Sequence, residues 1–128
     1  MSHSHRLSQS LVISGSTRSL TNEYSASKLI RIEDAVVEAT VDQLVQVAFT
    51  IATMVSCYIY STQNMTLKTN SSGTPQETIN LKANVPLIWN TDSYGSNPFS
   101  GDITAMYVSN SSGTDGTLVM EILDDATP

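Results

Sequence analysis

The chain has 128 residues and a net charge of −6. That length fits one domain, and the acidic balance argues against a nucleic-acid ligand, because neutralising phosphates needs a basic surface. A single cysteine, Cys57, with two histidines, His3 and His5, excludes an internal disulfide and leaves too few ligands to close a zinc site.

Taken in order, Met1–Gln9 is polar and rich in small residues, and is expected to form an N-terminal arm ahead of one β-sandwich domain spanning 10–128. Ser10–Ser14 is the first strand signal, Gly15-Ser16 a turn, and Arg18–Ser25 a polar strand. Lys28–Ile32 follows as a short strand. The apolar run Leu11-Val12-Ile13 is too short for the core of a signal peptide, so a soluble protein made in a cytoplasm is expected. Glu33–Asp42 is an acidic connection; Val37, Val41, Leu44 and Ala48 fall on one helical face that Asp34 could cap, and a short helical turn near Glu33–Glu38 is expected in preference to that longer helix.

Leu44–Tyr60 is 17 residues without a charge, the short end of what crosses a bilayer. Seven of these residues are β-branched and three aromatic, and Val45, Val47, Phe49 and Ile51 alternate with Gln46, Ala48 and Thr50. Period two and this composition predict strands at Leu44–Ile51, Val55–Ser61 and Met65–Asn70 rather than a membrane helix. Cys57 falls in the apolar alternation and is expected to be a small buried hydrophobe.

The pentapeptide Asn-Ser-Ser-Gly-Thr occurs twice, at 70–74 and 110–114. The first would join Met65–Asn70 to Glu77–Lys82, and the second Ile103–Asn110 to Thr117–Leu123, which suggests two similar hairpins. Val85–Asn90 is a strand with Pro86 near its start, which demotes it towards an edge or a strand end. Thr91–Asp102 is the longest irregular piece, and its Tyr94 and Phe99 either pack on the domain or meet a partner. Asp124–Pro128 reads as a tail. About nine or ten short strands with little helix make this an all-β chain, an antiparallel β-sandwich and in expectation a jelly roll.

Catalytic chemistry is thin. Both histidines lie at the terminus, outside the expected core, so neither is a supported general base. Glu33-Asp34 and Asp124-Asp125 are neighbours that point to opposite faces of a strand and read as solvated surface. There is no glycine-rich phosphate loop. No enzyme, cofactor or metal is expected. Residues 1–31 carry a net +3 and the remaining residues −9, an asymmetry suited to orienting on a charged partner. Tyr58 and Tyr60 share a strand face opposite Cys57 and Ile59, as a second buried face, an oligomer contact or, less readily, a sugar platform.

Tyr58–Thr69, Leu81–Ser93 (LKANVPLIWNTDS) and the ending Glu121–Pro128 (EILDDATP) resemble small β-sandwich head decoration, or cement, proteins of tailed phages. The resemblance spans the chain from about residue 7 onward, and its motifs are structural rather than catalytic. It implies a virion protein that adds to the capsid surface, braces neighbouring major capsid subunits and forms dimers or trimers, assembled in the host cytoplasm without a membrane or nucleic-acid partner. The candidate partner contacts are Arg6, Arg18, Tyr58, Tyr60, Tyr94 and Phe99. The alternative is a receptor- or glycan-binding sandwich of a phage tail or baseplate.

Overall fold

A computed structural model describes residues 3–125, and every regular element in it is a strand. In chain order these are β1 (His3–Ile13), β2 (Ser16–Ala26), β3 (Lys28–Val36), β4 (Thr40–Val45), β5 (Met54–Ser61), β6 (Met65–Thr69), β7 (Thr78–Leu81), β8 (Leu87–Asn90), β9 (Met106–Asn110) and β10 (Gly116–Asp124). Eight of them form two four-stranded sheets, ordered β3-β10-β5-β8 and β4-β9-β6-β7. All pairings are antiparallel. The chain is thus an antiparallel β-sandwich with a separate two-stranded ribbon, β1-β2, ahead of it.

The pairing is nested. β3 lies beside β10, β4 beside β9, β5 beside β8 and β6 beside β7. Within the sandwich only the innermost pair, β6-β7, is a hairpin in one sheet. The other links between consecutive sandwich strands cross from sheet to sheet.

The core follows from period two. Leu118, Met120 and Ile122 of β10, with Cys57 and Ile59 of β5, face Leu67 of β6 and Met106 and Val108 of β9, all fully buried. Apolar side chains on alternate positions bury one face of each sheet against the other, the largest favourable term for such a fold. Burial pushes the Cys57 thiol up to about 12, so it is packing material and a poor nucleophile at neutral pH.

Five expectations need correction. The segment 33–36 is strand, not helical turn, because β3 stays in register with β10 as far as Val36↔Gly116 and its backbone is taken up by that ladder. The strand from Leu44 ends at Val45. Val47 and Phe49 keep the alternation and stay buried, but only an isolated bridge, Phe49↔Ile103, continues the pairing. The second pentapeptide is not a hairpin: it carries the chain from β9 in one sheet to β10 in the other. Asn110 there is buried, and its side-chain amide donates to the carbonyls of Val36 (2.9 Å) and Thr114 (2.8 Å), tying the crossover to β3. Asp124 belongs to β10 rather than to a tail, and is buried with its carboxylate accepting from the Thr53 hydroxyl. His5, expected outside the folded body, is half-buried against it. The rest of the expected tail, 126–128, lies outside the described residues.

The long charge-free stretch is divided among strands of both sheets. Among the described residues no helix is long and apolar enough to cross a membrane.

Candidate functional site, a projecting ribbon and the cleft beneath it

β1 and β2 pair without a break from His3↔Ala26 to Ile13↔Ser16. Eleven residues per strand at about 3.3 Å each give a ribbon roughly 35 Å long. Its two-residue turn has positive φ at both positions, 46° at Ser14 and 87° at Gly15, the mirror-image turn whose twist matches a tight hairpin. Glycine adopts that conformation freely and Ser14 less so. The boundary expected after residue 9 falls in the middle of β1.

Alternation divides the ribbon into two faces. Residues opposite each other in an antiparallel pair share a face. One face therefore carries Leu7, Gln9 and Leu11 with Asn22, Leu20 and Arg18. The same face at the base carries His5, Tyr24 and Ala26, which lie on the outer side of sheet β3-β10-β5-β8. Tyr24, Ala26 and Leu123 form a small second core, with Leu7, Leu29 and Val55 against it. Beyond Leu7 the face is not packed, and only an open recess lies between Gln9 or Leu20 and the sandwich. The described side chains from Ser8 to Thr21 are exposed, and Leu11 and Leu20 are each 57% exposed. The opposite face is mainly Ser, Thr, Arg6 and Glu23, plus an exposed Val12.

A two-stranded ribbon alone is marginal in water, so its base must be held. Beside the second core sits a polar fastener: His5 Nδ1 lies 3.0 Å from Ser56 Oγ, and His5 Nε2 is 3.7 Å from the Glu121 carboxylate. Nε2 is buried and makes no hydrogen bond. Burial lowers the His5 pKa, and the neighbouring Glu121 carboxylate opposes that shift, so the imidazole is neutral at neutral pH. Serine, histidine and carboxylate lie in triad order, but Ser56 is buried and β5 is paired on both edges around it, to Leu123 and to Asn90. Its backbone donors are committed to the ladders, where an acyl-transfer site needs free N–H groups for an oxyanion. The arrangement can hold the ribbon down.

Two continuous recesses lie between the ribbon and the sheet. The inner one, about 360 Å³, is lined by His5, Tyr24, Ser56, Tyr58 and Glu121 among others. The outer one, about 290 Å³, runs between Leu7, Gln9 and Leu20 of the ribbon and Ile88, Asp92 and Tyr94. It marks where the ribbon leaves its own sandwich.

The expected contact residues separate. Arg6 lies on the polar face within 3.8 Å of Glu23, and Arg18 on the apolar face, opposite Leu11. Tyr94 is fully exposed at the outer recess. Tyr58 and Tyr60 are half-buried on the outer sheet face, their rings nearly parallel (11°) with centroids 6.4 Å apart, and the Tyr60 hydroxyl donates to Asn84 at 2.6 Å. Phe99 is no contact residue. It is 1% exposed and meets Phe49 edge-to-face at 5.4 Å. The loop carrying it is pinned by Asn70, whose side chain donates to Asp102 O and accepts from Thr104 N.

Leu11, Leu20, His5, Ser56 and Glu121 were not singled out as site residues from sequence. Leu11 and Leu20 look like ordinary strand residues until the register shows that they share a face, and His5 meets residues 51 and 116 positions away. Among the described residues no cluster of three or more His, Cys, Asp or Glu side chains could hold a metal ion. No family model matches the chain, and neither the curated proteins nor the solved structures provide a match.

Proposed function

We propose that this chain is a structural virion protein, a decoration or cement protein that binds the outside of a phage head and stabilises contacts between major capsid subunits. One observation carries the reading: a ribbon about 35 Å long whose apolar face continues past its own sandwich and stays uncovered at Leu11 and Leu20. Such an element gains stability by meeting another subunit. The sequence resemblance to cement proteins supplies the kind of assembly. We read the nested strand pairing as a jelly roll, a rigid body from which a ribbon can be presented. A protein that binds only the assembled shell stabilises it by mass action, and a modest contribution per site is multiplied over many sites.

The test is binding of the purified protein to expanded heads that lack decoration, read as copies per head and as heat resistance of the heads. The wild-type chain is expected to saturate its sites and raise heat resistance. Binding to a glycan array with no binding to heads would replace this reading with the receptor-binding one. Neither the parallel tyrosine pair nor its bonded Tyr60 hydroxyl offers the open ring platform that reading calls for.

A further inference from the structure

We infer that the uncovered face of the ribbon docks on a second copy of this chain, in the cleft between edge strands β3 and β4. This rests on the assembly role proposed above and names the partner of the ribbon. The cleft, about 390 Å³, is lined by Ile32, Asp34, Ala35, Gln43, Leu44 and Gln46. β3 ends one sheet and β4 ends the other, so this flank is one of the two open sides of the sandwich, the other lying at the edges β8 and β7. Leu44 is 49% exposed there, and Val37 and Val41 nearby are 56% and 77% exposed.

The two surfaces are complementary. The distal ribbon offers Leu11, Leu20 and the cation of Arg18 on one face. The flank offers apolar side chains beside Asp34, with Glu33 and Glu38 close in sequence. Among the described residues no ion pair engages Arg18, Glu33, Asp34 or Glu38, whereas Asp42 on the same flank is already held by Lys68 at 3.2 Å. A leucine pair around the Arg18 cation thus matches a mixed flank, in which a largely polar cleft carrying the Asp34 carboxylate is bordered by exposed Leu44, Val37 and Val41.

Topology shows why the occupant is another molecule. The ribbon base lies over β10 and β5, and its middle passes Ile88 of β8 and Tyr94 beyond it. β8 and β3 are opposite edges of the same sheet. The ribbon therefore leaves over one edge while the cleft lies at the other, and no chain can fill its own cleft with its own ribbon. Each copy donates a ribbon and receives one, so the contact is either a reciprocal dimer or a head-to-tail one that makes a ring where its rotation closes and a filament where it does not.

The experiment mixes two full-length variants, Leu20→Cys and Leu44→Cys, under mild oxidation, with sedimentation velocity of the wild type and of Arg18→Glu alongside. The native Cys57 is fully buried and stays silent. A disulfide-linked species should form in the mixture and in neither variant alone. Arg18→Glu should weaken self-association about tenfold or more, and adding Asp34→Arg should restore it. Linking of Leu20→Cys to itself, or a monomeric wild type at high concentration, would overturn the inference. Head binding by a monomeric wild type would sink it and leave the decoration reading standing; a ribbon-linked oligomer that ignores heads would do the reverse.

Discussion

The sandwich and the ribbon are built from the same alternating strand pattern and are stabilised in opposite ways. In the sandwich each strand turns its apolar side toward a facing sheet, and residues such as Ile59, Leu67, Val108 and Met120 are removed from water completely. In the ribbon the apolar side is covered only at its base, by Leu123 and its neighbours, and then continues into solvent. The chain exposes 7476 Å², against roughly 6,600 Å² for a compact protein of this mass. The ribbon, exposed on both faces over its distal half, is the visible departure from compactness. Side chains that serve stability in one region are therefore available for association in the other.

The largest expected effect comes from a core truncation. Leu118→Ala should cost about 2–5 kcal/mol in urea unfolding, with sandwich and ribbon losing structure together, since the ribbon has no support of its own. A ribbon that kept its hydrogen-exchange protection in this variant would break the dependence described above. Leu123→Ala should be smaller, about 2 kcal/mol near the low end of such truncations, and selective. Amide exchange should accelerate across 3–26 more than in β5 or β9, and uniform acceleration would show that Leu123 supports the sandwich instead.

A pH effect comes next. The docked base disfavours the charged imidazole of His5, so the released ribbon takes up a proton more readily than the docked one. The fastener contributes fully above the ordinary histidine pKa near 6.5 and is lost as the pH falls below it. Protection of residues 3–8 should decline between pH 7.5 and pH 5.5, and His5→Gln should flatten the decline. A decline that persists unchanged in that variant would assign it to another group.

The smallest effect on stability, and the one that sharpens the contrast most, is at the ribbon tip. Leu11→Ser with Leu20→Ser should leave the unfolding free energy in urea, measured at dilutions where the chain is monomeric, within about 0.5 kcal/mol of wild type and lower occupancy on heads. Loss of stability without loss of occupancy would mean that these leucines already have a partner within the chain.

By itself, the sequence determined the class of the fold and much of its strand inventory. Period-two alternation is a local property, set by side chains pointing to opposite faces of an extended backbone. It made the charge-free run legible as strands, placed Cys57 in the core, and let Pro86 mark β8 as an edge. Turn chemistry was legible at Gly15, although the expected turn at Gly15-Ser16 closes one residue earlier, at Ser14-Gly15, where both residues have positive φ. Pairing across distance was decided only in the tertiary structure. The same pentapeptide closes a hairpin at 70–74 and crosses between sheets at 110–114, because β10 pairs with β3 and β5 rather than with β9. Tyr94 and Phe99 lie in one loop, yet one is exposed and the other joins Phe49 in the core. His5 meets Ser56 and Glu121 only once β1 is laid over the sheet. Leu11 and Leu20 become a surface only when the register sets them on one face. Local patterning reports which side of a strand is apolar, and what covers that side depends on contacts between residues far apart in the chain.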